Sequence, residues 1–225
     1  YLFYVYAIQV RIFLSRTEMD AACSALEQLE QVSMRLNQPT SSYDHVLFTT
    51  VDQVRLWLAC GEVDLATHWV KQRERREQES TPFSHERQEV ACVRVFLATR
   101  QPDLALQRLE PVLQRATRGK RWGHVIEIRL LQALAYQMLQ EETQALSALC
   151  EALCLAEPEG SIRSFVDEGI PMQALLSQLR EQQHKTGPTP YLDRILAAFE
   201  QETVVQRCTE VYTLSLIHIS EPTRQ

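Results

Sequence analysis

An all-α protein built of stacked helical hairpins is the fold this sequence predicts, and three observations carry the prediction. Only 6 of the 225 residues are glycine, few for an all-β or α/β chain of this length. Ala, Leu, Gln, Glu and Arg, all good helix formers, fill most segments. Four segments also align with one another without gaps, and self-similarity at a fixed period is the signature of a repeat architecture.

The four segments are VRIFLSRTEMDAACSAL from Val10, VRLWLACGEVDLATHWV from Val54, VRVFLATRQPDLALQRL from Val93 and ALAYQMLQEETQALSAL from Ala133. Their starts lie 44, 39 and 40 residues apart. In each, an aromatic (Phe13, Trp57, Phe96, Tyr136) is followed nine residues later by an alanine (Ala22, Ala66, Ala105, Ala145). Four residues further on comes an aliphatic (Leu26, Val70, Leu109, Leu149). The aromatic reads as the large knob near the end of a first helix, A. The alanine lets the second helix, B, approach it, and the aliphatic one turn on covers the ring. All twelve residues are therefore expected in the core.

Between the helices stands a short polar turn containing Glu18, Glu62, Gln101 or Glu141. Asp20, Asp64 and Asp103 follow just inside helix B, where the positive helix end favours an acid. The later elements keep the same phase, with A helices over Ser84–Arg100 and Trp122–Gln140 and B helices over Asp103–Arg118 and Thr143–Ala156. Pro102 suits a helix start, whereas Pro111 is expected to kink or split its helix. The connections Asn37–Ser42 and Gln78–Ser84 are polar and read as loose. A lone hairpin cannot bury both its apolar faces, so the pairs are expected to stack as a tetratricopeptide-like solenoid, a right-handed superhelix with one concave side.

Composition excludes several functions. A net charge of −6 gives no general attraction to a phosphate backbone. No run of about 20 apolar residues is present. The nearest approach, YLFYVYAIQVRIFL, is broken by Gln9 and Arg11, and no small-residue cleavage site follows it. The first residue is not Met, and the chain is expected to begin in mid-protein. Five of the six cysteines (Cys23, Cys60, Cys92, Cys150, Cys154) sit in or at the end of apolar-periodic helices and read as small buried hydrophobes; Cys208 lies beyond them. Reduced thiols fit this pattern better than a disulfide or metal framework, and no metal ligands are assigned. Histidines 45, 68, 85, 124 and 184 are scattered, and neither catalytic nor cofactor-binding residues are assigned.

From Arg118 onward the sequence carries a specific resemblance. RGKRWGHVIEIRLLQALAYQML, then ALSALCEALCLAEPEGSIRSFVDEGIPMQALLSQL, then PYLDRILAAFEQE resemble the end of the sensor region of MalT-like, ATP-dependent regulators of the LuxR family. The AEPEG run from Ala156 to Gly160, followed by Arg163, Phe165, Val166, Asp167, Glu168 and Gly169, is the most telling part. The likeness covers residues 1–202 and is strongest after Val90. It implies a bacterial cytoplasmic transcriptional regulator, with a nucleotide-binding module before the repeats and a helix-turn-helix DNA-binding domain after them. The repeats of that family receive a small-molecule inducer or a regulatory protein, with self-association possible in the full-length protein.

Neither flanking module is legible in this sequence. It contains no G-x-x-x-x-G-K-[ST] loop, and no helix-turn-helix follows Phe199. Leu214–Arg224, LSLIHISEPTR, resembles the translation of one frame of a transposon-end sequencing adapter. Residues 214–225 are therefore set aside as an artefact, and 203–213 read as a linker toward a missing domain.

Arg11, Arg55 and Arg94 share one repeat position, two residues before the aromatic, which places them in a row across the A helices. By resemblance to tetratricopeptide stacks that row faces the concave groove, where it could grip a carboxylate, a phosphate or an acidic peptide. The plainer alternative pairs each arginine with an acid such as Glu89 or Glu127, or leaves it reaching to water. Leu134 takes the position in the fourth repeat and ends the row. Lys71–Glu79 reads as a solvated helix end, and Arg115, Arg118, Lys120 and Arg121 as cations at a helix C-terminus. The sequence thus predicts a binding region that is not an enzyme, needs no cofactor, crosses no membrane and does not itself contact DNA. The alternative is a free-standing tetratricopeptide scaffold for peptides or proteins.

Overall fold

The computed structural model describes residues 2–16, 18–36, 43–75, 82–183 and 190–202, and every regular element among them is helical. Four hairpins follow one another. Helix α1 (Leu2–Ser15) pairs with α2 (Met19–Leu36), and α3 (Tyr43–Ala59) with α4 (Val63–Arg75). Likewise α5 (Pro82–Ala98) pairs with α6 (Pro102–Arg118), and α7 (Trp122–Met138) with α8 (Glu142–Ala156). A 3-10 turn (Glu157–Glu159), the short α9 (Arg163–Val166), α10 (Ile170–Gln183) and a helix over 190–202, α11, complete the described chain. The sequence 203–225, including the expected linker and adapter-derived tail, lies outside the described residues, as does the connection 37–42. Of the second expected loop, Pro82–Ser84 instead begin α5.

The nine-residue spacing from aromatic to alanine has a backbone origin. In all four hairpins the carbonyl of the aromatic accepts a hydrogen bond from the amide five residues on. These are Glu18 to Phe13 at 3.0 Å, Glu62 to Trp57 at 2.8 Å, Gln101 to Phe96 at 2.8 Å and Glu141 to Tyr136 at 2.9 Å. This is the six-to-one bond of a Schellman helix end, which needs a left-handed residue one place earlier. Gly61, Arg100 and Gln140 supply it with φ of 78°, 57° and 62°. The carbonyl of the same Glu or Gln then accepts from the repeat alanine four residues later, at 2.9, 3.3, 3.2 and 3.0 Å, opening helix B. Five residues of helix end plus four of helix start fix the spacing.

Packing follows from that register. Ala22, Ala66, Ala105 and Ala145 are all completely buried, and so are Val10, Val54, Val93 and Ala133 at the start of each motif. Leu26, Val70, Leu109 and Leu149 are buried too. The expectation for the aromatics needs correcting. Phe96 is buried, but Phe13, Trp57 and Tyr136 are half-buried, packed against the core that holds the alanine and aliphatic of their own repeat. All four rings, the buried Phe96 included, sit two residues before the end of helix A, so position along the helix does not set their burial.

Successive A helices lie side by side, α1 on α3, α3 on α5 and α5 on α7, with each B helix wedged against the next A helix. At the far end α10 rests on α7 and α8, and α9 touches α7 and α10. Phe165 of α9 is fully buried and meets Tyr191 of α11 edge to face, with ring centroids 6.3 Å apart. The Tyr191 hydroxyl donates to the Ser161 carbonyl at 2.7 Å. Gly160 and Gly169, which bracket this segment, both adopt left-handed φ (63° and 73°), a conformation glycine takes at no steric cost.

Two further expectations change. Pro111 neither splits nor ends α6, which runs unbroken to Arg118. Pro111 and Gln107 both lie on its exposed face, where water can satisfy the carbonyl that loses its donor. Of the helical cysteines only Cys92 is buried; Cys150 is half-buried, while Cys23, Cys60 and Cys154 are exposed. Apolar periodicity placed them on helices correctly but did not settle which face of each helix turns inward.

These packing differences give a stability ranking. Leu109→Ala opens a cavity in the closed part of the core and should cost about 2–5 kcal/mol. Trp57→Ala should cost less than the roughly 3–5 kcal/mol of a fully buried aromatic. Urea titration of the two variants checks the order; a Trp57 loss exceeding the Leu109 loss would show the ring to be the principal knob.

Candidate functional site

Side-by-side A helices turn one repeat position into a row, and arginine occupies it in three repeats running. Arg11 on α1, Arg55 on α3 and Arg94 on α5 line a single cleft. Arg87, two turns before Arg94, adds a fourth guanidinium, and His124 and Glu127 of α7 form the opposite wall. Val51, Val90 and Ala91 provide its apolar lining, and its volume is about 170 Å³. Arg55 of α3 reaches past α5 to Glu127 of α7.

Carboxylates from three directions enter this row. Glu127 Oε1 accepts from Arg55 at 2.5 Å and from Arg94 at 2.9 Å. Glu168, just beyond α9, takes Arg94 in a forked pair at 2.8 and 2.7 Å. Asp52, fully buried on α3, accepts from Arg11 Nε at 3.2 Å and stands 4.0 Å from Arg87. Arg94 is thus the hub, joining α7 and the segment after α9 through one planar group.

The electrostatics are uneven along the row. Burial opposes ionisation of Glu127, but Arg55 and Arg94 outweigh it and hold the carboxyl well below the usual carboxylate range. Burial likewise disfavours the Arg94 cation, yet Glu168 and Glu127 hold it more firmly protonated than an ordinary arginine. Arg55 is shifted the other way, downward, by repulsion from Arg94 and then by burial. Burial, followed by repulsion from Arg11, lowers Arg87 to about 10. His124 is pushed down by burial and favours the neutral ring. Arg94 makes the most carboxylate contacts of the row, while its Nε and Asp52 Oδ2 are buried without a hydrogen-bond partner.

The short segment carrying Glu168 acts as a strap. At its other end Arg163 donates to the Ser15 carbonyl of the first hairpin at 2.6 Å. Arg163 also pairs with Asp167 at 2.5 Å and with Glu202 of α11. Burial raises the Asp167 carboxyl above its ordinary range, with Arg163 opposing that shift.

Of the sequence-predicted groove residues, Arg11, Arg55, Arg94 and Glu127 come together in the cleft. Glu89 does not. It accepts from Arg73 at 2.7 Å and Arg108 at 3.4 Å, between α4, α5 and α6. Five residues from Arg94 along a helix is about 140° around its axis, which turns Glu89 away from the row. In the basic cluster, Arg121 clasps the fully buried Glu86 at 3.1 and 2.6 Å, and Arg115 stands 3.6 Å from it. Sequence reading missed Asp52, Arg87 and Glu168. Arg87 and Asp52 lie seven and three residues before ladder arginines, on the same helix face, and that spacing could have found them.

The comparisons with known proteins agree with this architecture. The family model of the MalT-like TPR region matches residues 2–182, from α1 into α10. The chain belongs to this family. Curated relatives include the HTH-type transcriptional regulator MalT of Klebsiella pneumoniae (strain 342), 28% identical over 176 residues, and that of Vibrio campbellii, 23% identical over 174. Each alignment takes in 77% of this chain but 19% of the relative, so the chain spans about a fifth of the length of the curated relatives it matches. In this MalT-like TPR region no described helix is long and apolar enough to cross a membrane. Among the described residues no group of three or more His, Cys, Asp or Glu side chains is arranged to hold a metal ion.

The Glu127 carboxyl supplies a pH test. Its folded pKa is depressed, so its contribution is present above the unfolded value of about 4.3 and is lost as pH falls toward the folded one. Glu127→Gln should cost on the order of 2–3 kcal/mol at pH 7. That is short of the roughly 3–5 kcal/mol for a fully buried pair, because 24% of the side chain is exposed. The variant should also lose less stability than the parent between pH 5 and about 3. Parallel acid limbs in thermal melts would show that Glu127 is not the titrating group.

Proposed function

We propose that this region is the signal-receiving part of a MalT-type transcriptional regulator, and that its concave cleft takes up a small-molecule inducer or a regulatory protein. Occupancy is relayed through the strap between Ser161 and Gly169 to the modules that such a regulator uses to bind nucleotide and DNA. The observation that carries the reading is the double engagement of Arg94. One guanidinium lines the cleft and also holds Glu168 of the strap at 2.7 Å. Anything that competes for Arg94, or draws Arg55 away from the Glu127 they share, changes the hold on the strap. The strap touches the first hairpin through Arg163 and α11 through Phe165 and Tyr191, so its release is felt at both ends of the stack. A bistable contact of this kind is what a ligand needs in order to shift a population. Family membership supports the transcriptional setting, since the named relatives are HTH-type regulators.

The test is a promoter reporter driven by the intact regulator that carries this region. Glu168→Gln keeps the shape of the side chain but weakens the hold on Arg94. It should uncouple the reporter from its inducer, leaving output fixed whether inducer is present or absent. Glu151→Gln, at the exposed end of the Arg129 pair of α7 and α8 and outside the cleft, should leave the response intact. Normal induction in the Glu168→Gln regulator would remove the strap from the signalling path.

A further inference from the structure

Three large apolar side chains stand in the open along one stripe of α1. Val5, Ile8 and Ile12 are 50%, 57% and 42% exposed and follow one another at helical spacing. The matching positions of the later A helices are closed. Asp52, Ala91 and Leu131, which match Ile8, are at most 1% exposed, and Leu56, Val95 and Ala135, which match Ile12, at most 5%. Gln88 and Ile128, which match Val5, are buried as well. What lies over these A helices is in each case the hairpin before: α3 packs on α1 and α2, α5 on α3 and α4, and α7 on α5 and α6. The residues themselves reach in that direction. Leu56 sits in the apolar cluster of the first hairpin with Val10, Ala22 and Leu26. Asp52 accepts from Arg11 of α1 at 3.2 Å, and Gln88 accepts from Arg73 of α4 at 3.1 Å. Gln53, which matches Gln9, donates to Glu30 of α2 at 3.1 Å.

The opposite end of the stack is finished differently. There α10 rests on α7 and α8, and Met172, Leu175 and Leu176 are buried with Leu149 and Ala152. A terminal repeat element that faces water needs a polar outer face. Valine and isoleucine occupy that face of α1, which makes it a stacking surface and not a cap. We infer that the Val5–Ile8–Ile12 stripe is the docking surface for a further helical hairpin of the same repeat type, borne by the polypeptide of the parent regulator. This chain aligns with 19% of the length of a curated relative, so a regulator of that size has ample chain to supply one. The incoming hairpin offers small and aliphatic side chains to Ile8 and Ile12, as Ala22 and Leu26 belong with Leu56. It offers Gln9 an acceptor oxygen, as Glu30 does Gln53. A second copy docking α1 against α1 supplies one helix where every covered A helix has two. The inference holds whatever the arginine cleft receives.

The experiment is amide hydrogen exchange of α1, in the whole 225-residue chain and in the intact regulator that carries this region. The α1 amides should exchange about tenfold or more slowly in the intact regulator, because a covered helix opens only together with its neighbour. Ile8→Asp should return them there to the rate of the 225-residue chain while exchange in α7 stays unchanged. In the 225-residue chain itself the same substitution lies on the surface and should move the melting temperature by no more than about 2 °C. Leu131→Asp, at the matching closed position, should lower it far more. Ile8→Ala trims the stripe without adding charge; it should restore part of the exchange and decides the matter if the aspartate variant of the regulator does not fold. Equal α1 exchange in the two unaltered proteins, or protection that survives both Ile8 variants, overturns the docking surface. A 225-residue chain that sediments as a dimer and becomes a monomer with Ile8→Asp gives the face to a second copy and overturns the hairpin assignment.

Discussion

Arg94 holds carboxylates that reach it from two separate parts of the chain, and the arrangement of the concave face depends on that hold. Glu127 comes from the next A helix, 33 residues on, and Glu168 from the strap, 74 residues on. Satisfying both from one side chain requires the A helices to lie at a fixed separation and the strap to cross the face at a fixed height. A planar fork with rigid geometry can impose this, whereas a lysine ammonium, a point charge on a flexible stem, could not. Net gain from such a buried pair is small, because desolvation offsets most of the attraction; its consequence is specificity of arrangement.

That specificity acts on a scaffold held by other forces. The stack owes its cohesion to fully buried alanines and small aliphatics at the hairpin contacts, and to a repeated backbone turn that fixes their register. A solenoid of this kind is stabilised repeat by repeat through nearest-neighbour contacts. Long-range ties such as Arg163 to Ser15, 148 residues apart, are exceptional in it. The strap adds ties from Arg163 to the first hairpin and from Phe165 to α11 to an array otherwise stabilised locally.

Most of the fold was legible because the hairpin is a local object. The aromatic, the left-handed turn residue, the Glu or Gln and the alanine lie within ten residues, and their spacing is dictated by hydrogen bonds between backbone atoms. The arginine row was legible for the same reason, since repetition of Arg11, Arg55 and Arg94 at one phase forces them into line. Burial of the rings was not, because Phe13, Trp57 and Tyr136 share the phase and the helix position of Phe96, yet only Phe96 is buried. Nor was the partner of Arg94. Glu168 stands out in sequence only as part of the VDEG run, and nothing in its local pattern points across 74 residues. Glu89, which looked equally eligible, was excluded by helical angle alone.

The account stands on the coupling between Arg94 and Glu168, and a double-mutant cycle measures it directly. The parent chain, Arg94→Met, Glu168→Gln and the double variant would be unfolded in urea at pH 7 and low salt. A forked, largely buried pair predicts a coupling energy of about 1.5–3 kcal/mol, with the double variant less destabilised than the sum of the single ones. Additive losses, with coupling within about 0.3–0.5 kcal/mol of zero, would mean that the strap is held by Phe165 and its apolar neighbours alone and that Arg94 is not the hub of the concave face.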